Sequence, residues 1–317
     1  MKLDVRARLD PQMAAALAQS EQLSAGFGPV ARGDVAAMRR AYAHERAFWN
    51  AVPVPLASVE DAVLDAAGLA TPVRIYRPDG AATDAALVYL HGGGFILGGL
   101  DTHDRIMRLL ARETGAPVVG IDYALAPETR FPRQIAQIAG ALPQLARFGL
   151  RPDRLALGGD SAGAHLALAV ALDLHKHGAP PPHALLLYYG SFGLRDSASR
   201  RLYGGPWDGL GAQELEFYRQ CYLRAPEDAR DPRYDLLSAD LADTPPAFIA
   251  AAELDPLIDD SRALAAMLEE LGRPVELRVY DGVLHGFLHL SRMVDAAMFA
   301  LTDGARFLRA QLGAQSA

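Results

Sequence analysis

One serine stands between two glycines near the middle of the chain, in the segment LGGDSAGAH at residues 157–165. Gly159, Ser161 and Gly163 fit the pattern G-x-S-x-G, and they lie between a predicted strand and a predicted helix. A sharp turn there would expose the serine hydroxyl. Side chains two residues before or after the serine would collide, so both of those positions would need glycine. The helix that follows would point its N-terminal N–H groups at negative charge developing on an attacked carbonyl. The pattern therefore predicts that Ser161 is a nucleophile; an ordinary strand-to-helix turn is the alternative.

A second motif, HGGGF at residues 91–95, comes directly after the apolar segment AALVYLH at 85–91. Consecutive glycines let a backbone approach a substrate closely and turn N–H groups toward an oxyanion. A phosphate-binding loop does not fit, because no Gly-Lys-Ser/Thr follows. The N–H group of Ala162, directly after the serine, would be a further oxyanion donor. His91 is predicted to be structural, with a hydrogen bond to the loop backbone.

A serine hydroxyl needs a base to become a nucleophile, and the base needs an orienting carboxylate. In a sheet of this kind the acid and then the base follow the nucleophile along the chain, at the ends of the last two strands. Asp255 lies just beyond the predicted strand 246–253, and His285 lies in the segment DGVLHGF at 281–287 after the last predicted strand. Both positions match this order.

Other acidic residues and histidines are alternatives for these two roles. Glu253 is predicted to lie within the strand, and Asp259 and Asp260 at the start of a helix, where carboxylates often act as caps. The remaining histidine candidates are expected to be helical, solvated or locally packed: His103, His165, His175, His177 and His289. No H-E-x-x-H or cysteine-rich spacing appears, so neither a metal site nor a cofactor is expected. Cys221 is expected to be a buried, inert thiol.

Strands and helices that could position these residues alternate along most of the chain. Strands are predicted at 71–78, 85–91, 117–122, 154–159, 183–189, 246–253 and 274–280. Helices are predicted within 10–50 and at 103–114, 132–148, 161–177, 260–271 and 291–312. This alternation predicts a mostly parallel sheet covered by helices on both faces. Residues 190–245 interrupt it, and so long an insertion indicates helices of its own and a functional role.

The overall composition is that of a soluble globular protein. The chain has 317 residues, half of them hydrophobic, and a formal net charge of −7. A mildly acidic chain without a Lys/Arg cluster lacks the basic surface patch that nucleic-acid binding requires. It also has no membrane-length apolar run, no secretory signal and only one cysteine, and these features favour a cytoplasmic protein without a membrane partner.

Taken together, the motifs resemble those of the hormone-sensitive-lipase-like carboxylesterases, a branch of the α/β-hydrolase superfamily with many bacterial members. The resemblance covers nearly the whole chain and rests on five motifs in the family's order: HGGGF at 91–95, DYALAPE at 122–128, GDSAGAH at 159–165, DPLIDD at 255–260 and HGF at 285–287. It implies the α/β-hydrolase fold, with a central, mostly parallel eight-stranded sheet, flanking helices and a helical cap. The implied cap comprises residues 1–50 and 190–225, and the catalytic core comprises residues 51–189 and 226–317.

The resemblance also implies a role for each motif residue. Ser161 would be the nucleophile, Asp255 the acid and His285 the base. The oxyanion would bind to three N–H groups, and four residues would shape the surrounding loops; the donors are Gly93, Gly94 and Ala162, and the loop residues are His91, Gly92, Gly159 and Gly163.

These roles imply a serine carboxylesterase that cleaves short-to-medium acyl esters or aryl esters through an acyl-enzyme. Cap aromatics, with Trp49 or Trp207, would form an apolar pocket of limited volume for a small ester. An amidase or arylformamidase with the same triad is the alternative. A non-catalytic receptor or a lyase fits less well, because His285 and Ser161 are both present. Pairing of the strand 274–280 with its counterpart in a second copy would give a homodimer.

Overall fold

The described residues, 2–81, 83–205 and 207–313 of the computed structural model, contain one eight-stranded sheet. Its strands are β1 (Ser58–Ala66), β2 (Leu69–Arg77), β3 (Ala86–Leu90), β4 (Val118–Ile121), β5 (Leu155–Asp160), β6 (Leu185–Tyr188), β7 (Ala247–Ala252) and β8 (Val275–Tyr280). They lie in the order β1-β2-β4-β3-β5-β6-β7-β8. β2 is antiparallel to both of its neighbours, and all pairs from β4 to β8 are parallel. The expected mostly parallel, eight-stranded sheet is therefore confirmed.

Two hydrophobic cores lie on the two faces of this sheet. Alternate residues of β3 show the division, because Ala86, Val88 and Leu90 belong to one core and Leu87 and Tyr89 to the other. A strand that is buried on both faces needs apolar residues at every position. This is why the central strands appear in the sequence as short, continuous apolar segments.

Helices connect and cover the strands. They are α1 (Pro11–Phe27), α2 (Val35–Asn50), α3 (Asp104–Thr114), α4 (Arg133–Ala141), α5 (Ala162–Lys176), α6 (Ala198–Leu202), α7 (Ala212–Tyr222), α8 (Ile258–Glu270) and α9 (Asp295–Leu312). The carboxylate of Asp10 accepts N–H groups at the start of α1, and that of Asp34 does so at the start of α2. These caps explain where the two N-terminal helices begin.

β1 is a strand that the sequence patterns did not predict. It lies at the edge of the sheet, and only Leu64 and Ala66 along it are buried, so it carries no continuous apolar segment. A two-residue turn joins it to β2, and both turn residues, Ala67 and Gly68, have positive φ angles of 52° and 73°. Such a turn matches the twist of an antiparallel hairpin.

Hydrogen bonds join the N-terminal helices to the long insertion. Arg32, between α1 and α2, donates to Gln213 Oε1 at 2.8 Å and to Glu214 Oε1 at 2.6 Å, both on α7. At the base of the insertion, the buried Asp260 carboxylate of α8 accepts backbone N–H groups of residues 192–194. Segments 1–50 and 190–225 are thus linked to each other, and the insertion is anchored to the sheet domain.

The opposite edge of the sheet is β8, whose outer side has no strand partner among the described residues. Homodimer formation through this edge stays a prediction. Within residues 2–81, 83–205 and 207–313, no helix combines the length and the hydrophobicity that a membrane span requires.

Candidate active site

Ser161 lies at the sharp turn between β5 and α5. Its backbone has φ 53° and ψ −117°, a region that residues other than glycine seldom adopt. Its N–H group donates to the carbonyl oxygen of Tyr188 on the neighbouring strand at 2.8 Å. A side chain at Gly159 or Gly163 would overlap the carbonyl oxygen of Leu90. The two glycines therefore allow the backbone crowding that keeps the serine in this conformation.

We expect Gly163→Ala to lower the free energy of unfolding by more than about 2 kcal/mol, because the Leu90 carbonyl belongs to a central strand and cannot move aside. Urea unfolding would measure the change. Gly26→Ala is the matched control, since Gly26 lies in α1 with no neighbouring atom within 4 Å of an added methyl group. The control should stay within about 1 kcal/mol of the parent, on the stabilising side. Equal stability of both variants would contradict the crowding.

The side chains of Ser161, His285 and Asp255 form one hydrogen-bonded chain. Their loops follow β5, β8 and β7, and because these strands are parallel, their C-terminal ends share one edge of the sheet. His285 Nε2 lies 2.8 Å from Ser161 Oγ, and His285 Nδ1 lies 2.7 Å from Asp255 Oδ2. The Asp255 carboxylate is fully buried and also accepts the Leu257 N–H at 2.8 Å. An imidazole held in this way can accept a proton from the hydroxyl.

The surroundings of His285 favour its protonated form. Burial alone would lower its pKa, but the charge of Asp255 and the hydrogen bond to it outweigh burial and raise the pKa above the ordinary value for histidine. The ring of Tyr189 packs against the imidazole with a centroid separation of 4.8 Å. The imidazole is therefore both basic and fixed in orientation.

The glycines of the HGGGF motif present unused backbone donors beside this chain. Gly93 and Gly94 have φ angles of +118° and +59°, which require glycine in practice. Across the described residues, the N–H groups of Gly93, Gly94 and Ala162 donate to no carbonyl or side chain. The Gly92 N–H, by contrast, donates to Asp160 Oδ1 at 3.0 Å. The loop thus fixes one N–H group and leaves the next two available for a ligand.

His91 contacts the loop rather than the serine. Its Nδ1 lies 2.9 Å from the carbonyl oxygen of Gly92, and its ring stacks on that of Tyr123 at 4.3 Å. The Tyr123 hydroxyl in turn donates to the carbonyl oxygen of His91 at 2.9 Å. These contacts support the base of the HGGGF loop.

A buried cluster beside the loop was missed by the sequence analysis. His103, Asp160 and His289 are brought together so closely that their side-chain atoms could hold a metal ion. Hydrogen bonds already join part of this cluster, since the Gly92 N–H lies between Asp160 Oδ1 and His103 Nε2, at 3.0 and 3.2 Å. Burial alone would raise the pKa of Asp160, but its two histidine neighbours and the Tyr89 hydroxyl hold it well below the ordinary value. No sequence spacing relates the three residues, because they come from distant segments.

The alternative acidic residues and histidines make other contacts. Glu253 binds Arg8 at 2.9 Å and accepts the Gly282 N–H at 2.8 Å. Asp259 accepts the Ser199 N–H at 2.8 Å. Asp260 anchors the insertion, as described above. His165 lies one turn after Ser161 in α5, with its Nδ1 2.8 Å from the Ser191 carbonyl oxygen, and His175 and His177 are exposed. Cys221 is buried, and burial raises the pKa of its thiol.

A cavity of about 530 Å³ opens beside His285. Its walls come from α1, α2, α7 and the segment around Trp207, together with Leu284, Gly286 and Leu290. Trp49 does not line it; this side chain is fully buried and donates to Glu45 Oε1 at 2.7 Å. The lining is also less apolar than expected, since it includes five charged residues besides His285: Arg32, Glu45, Arg46, Asp208 and Glu214.

The sheet order, the serine turn and the HGGGF loop together define an α/β hydrolase. Residues 87–289 match the family model described as the alpha/beta hydrolase fold, and the chain belongs to this family. Acetyl esterases are among its relatives by sequence and ester hydrolases among its relatives by structure, so the protein is a carboxylic ester hydrolase.

Three relatives show how far the similarity extends. The acetyl esterase of Salmonella dublin is 47% identical over an alignment 319 positions long, which covers 98% of this chain and 97% of that protein. An ester hydrolase from the metagenome of Lake Arreo is 31% identical with a TM-score of 0.89, covering 96% of this chain and 99% of the other. The hyperthermophilic esterase of Pyrobaculum calidifontis is 31% identical with a TM-score of 0.88, covering 96% and 98%. The resemblance to hormone-sensitive-lipase-like esterases is thereby confirmed.

Proposed function

We propose that this protein hydrolyses esters of short acyl groups through a catalytic triad of Ser161, His285 and Asp255. The observation that carries the proposal is the unbroken chain of hydrogen bonds from Ser161 Oγ through the imidazole to the Asp255 carboxylate, at 2.8 and 2.7 Å. The strained backbone of Ser161 supports it, because such conformations persist mainly where function requires them.

In the first half of the reaction, His285 Nε2 accepts the proton of Ser161 Oγ as the oxygen attacks the ester carbonyl carbon. The carbonyl electrons move onto the oxygen, and the N–H groups of Gly93, Gly94 and Ala162 would stabilise that charge. His285 then gives the proton to the leaving alcohol as the bond to it breaks. The product of this half is an acyl-enzyme with the acyl group on Ser161.

In the second half, water takes the place of the alcohol. His285 removes a proton from the water, the resulting hydroxide attacks the acyl carbon, and the proton passes to Ser161 Oγ as the acid leaves. Asp255 holds Nδ1 protonated throughout, which keeps Nε2 free to accept a proton in both halves. The charge of Asp255 stabilises the imidazolium that forms each time.

We also infer that residues 1–50 and 190–225 act as a cap over the cavity. Support comes from the cavity walls, to which α1, α2 and α7 all contribute, and from the hydrogen bonds of Arg32 to α7. A cap of this kind would exclude water from the reacting centre and limit the size of the substrate.

Labelling with a p-nitrophenyl alkylphosphonate would test the proposed triad. We expect the wild type to release one equivalent of p-nitrophenol, to lose its activity on p-nitrophenyl butyrate, and to carry the phosphonyl group on Ser161 in a peptide map. Ser161→Ala should release no p-nitrophenol and carry no adduct. An adduct on another residue, or a wild type inert toward the butyrate ester, would refute the proposed mechanism.

The acyl group is expected to be small because Tyr218 of α7 closes the space beside the HGGGF loop. Its ring atoms lie 2.8–3.0 Å from the point where a Cβ atom on Gly94 would stand, and the ring also lines the cavity. The relatives named acetyl esterases agree with a short acyl group.

Tyr218→Ala should therefore raise the ratio of kcat/KM for p-nitrophenyl butyrate to that for p-nitrophenyl acetate by about tenfold, since butyrate has two more methylenes and each buried methylene contributes about 0.8 kcal/mol. Phe217→Ala is the control, because Phe217 lies on the same helix and lines the same cavity without such a contact to the loop glycines. An equal change in both variants would mean that Tyr218 does not limit the acyl chain.

A further inference from the structure

The α2 helix presents a guanidinium with unused donors to the cavity that contains His285. The Arg46 side chain is only 18% exposed and lines this cavity. Throughout the described part of the chain it donates no hydrogen bond that meets normal geometry, and its nearest carboxylate oxygen, Glu45 Oε2, lies 3.2 Å from the guanidinium. Arg46 Nε is covered by neighbouring atoms and has no partner among them. Only the terminal nitrogens, Nη1 and Nη2, can therefore reach a ligand.

The position of this guanidinium is fixed from both sides. Its Cζ atom lies 4.8 Å from the centre of the Tyr42 ring, in cation–π geometry. On the other side is Glu45, whose Oε1 accepts the Ser20 hydroxyl and the Trp49 indole N–H, both at 2.7 Å. The carboxylate of this ion pair is thus well supplied with donors, and the guanidinium has more N–H groups than its contacts with Glu45 and Tyr42 can accept.

We propose that Arg46 is a substrate-binding residue whose terminal N–H groups donate to a hydrogen-bond acceptor oxygen in the non-reacting part of the ester. The preferred substrates would then be short acyl esters of oxygenated alcohols, such as polyols and sugars, rather than of plain hydrocarbon alcohols. The proposal rests on the proposed function, because His285 marks the reacting end of the cavity. It follows from the free-energy cost of leaving the remaining N–H groups of a largely buried guanidinium without an acceptor.

The charges around the cavity favour a neutral acceptor over a carboxylate. Glu45 balances the charge of Arg46, and Arg32 is paired with Glu214 at 2.6 Å. Asp208 adds a further carboxylate, which accepts the N–H groups of Gly205 and Leu210 through Oδ1. Among the described residues that line the cavity, Arg32 and Arg46 are both paired with carboxylates, so ether or hydroxyl oxygens fit better than an anionic group.

A matched pair of substrates isolates the acceptor. Cyclohexyl acetate and oxan-4-yl acetate differ only in the replacement of one ring CH₂ by oxygen, and oxan-3-yl acetate moves that oxygen to a second position. For each variant, kcat/KM for the oxygenated ester is divided by kcat/KM for cyclohexyl acetate. Comparing this ratio between variants removes the difference in hydrophobicity between the substrates, because that difference is common to all of them.

We expect Arg46→Met to lower the ratio about tenfold relative to the wild type for at least one oxane ester, as loss of a hydrogen bond from a charged donor predicts. Arg46→Lys, which keeps the charge, should fall in between. Arg32→Met is the control, because Arg32 lines the same cavity but its donors already bind Gln213 and Glu214; it should keep the wild-type ratio. Circular dichroism checks that each variant is folded.

An unchanged ratio in a folded, active Arg46→Met would overturn the proposal. So would an Arg46-dependent preference confined to 2-acetoxybenzoate over phenyl acetate, since that result would assign the guanidinium to anionic esters. Failure of the proposed function is a separate outcome: the wild type would then cleave neither cyclohexyl nor oxanyl acetate, or Ser161→Ala would cleave them equally well.

Discussion

Ser161→Ala is expected to lower kcat for p-nitrophenyl butyrate by about 10⁴- to 10⁶-fold, because without Oγ neither the acyl-enzyme nor proton transfer to His285 can occur. The fold should survive, since Oγ hydrogen-bonds to His285 and the strained backbone is set by the surrounding glycines and strands. Steady-state kinetics and a thermal melt would measure the two effects.

Ser238→Ala serves as the matched control for this substitution. Its hydroxyl donates to the Asp235 carbonyl at 2.7 Å on an exposed turn, away from the cavity lining. We expect wild-type kcat from this variant. If Ser161→Ala kept even a tenth of the wild-type kcat in a preparation free of other esterases, another group would have to be the nucleophile.

Asp255→Asn is expected to lower kcat by about 10⁴-fold at neutral pH. The carboxylate accepts a hydrogen bond from the Nδ1–H group of His285. Nε2 is then unprotonated and faces the serine as a hydrogen-bond acceptor. An amide can donate to Nδ1 instead, which would stabilise the tautomer that carries its proton on Nε2 and cannot act as the base. Burial of Asp255 makes compensation by water unfavourable. A decrease of less than tenfold would show that another group orients the imidazole.

The same substitution should move the acid limb of the pH profile. His285 acts as a base only when neutral, so activity falls as the pH drops through its pKa. In the wild type, burial lowers that pKa but Asp255 raises it further, to above the ordinary value. Removing the negative charge leaves burial to dominate, so the residual activity of Asp255→Asn should persist to lower pH than wild-type activity. If the acid limb of the pH profile did not move in Asp255→Asn, the limb would report the titration of a group other than His285.

Much of the fold could be predicted from the sequence because the central strands are buried on both faces. Every residue of β3, β4 and β6 is buried, so each appears as a short apolar segment. β1 has the opposite character, since its first four residues are exposed, and hydrophobic patterning alone could not reveal it. Its best local signal was the Ala67-Gly68 pair at the hairpin turn.

Helix boundaries were less well predicted where local chemistry changes the helix type. The predicted helix 132–148 is α4 followed by a 3₁₀ segment from Leu142 to Phe148, with Pro143 lacking the N–H group that would continue the α-helical pattern. The last helix was predicted to start at 291 but begins at Asp295, after a separate 3₁₀ turn at Phe287–Leu290.

The candidate site was predictable to the extent that its motifs are local. The sequence reveals GDSAG, HGGGF and the position of His285 after the last strand, because each of them depends on a turn at the end of a strand. The contacts of Asp160 and Arg46 could not be predicted, since their partners are distant in sequence or depend on how a side chain is oriented in the fold. Charged residues of the cavity wall were missed for the same reason, because nothing in the local pattern distinguishes them from ordinary surface charges.

Asp160 has a mechanical consequence for the reacting centre. It immediately precedes Ser161, the proposed nucleophile, and its carboxylate accepts the Gly92 N–H at the start of the proposed oxyanion loop. The residue that joins Ser161 to β5 is therefore also the residue that binds the start of the HGGGF loop. We expect this shared contact to hold the distance between the Ser161 hydroxyl and the loop N–H groups nearly constant when the strand ends move.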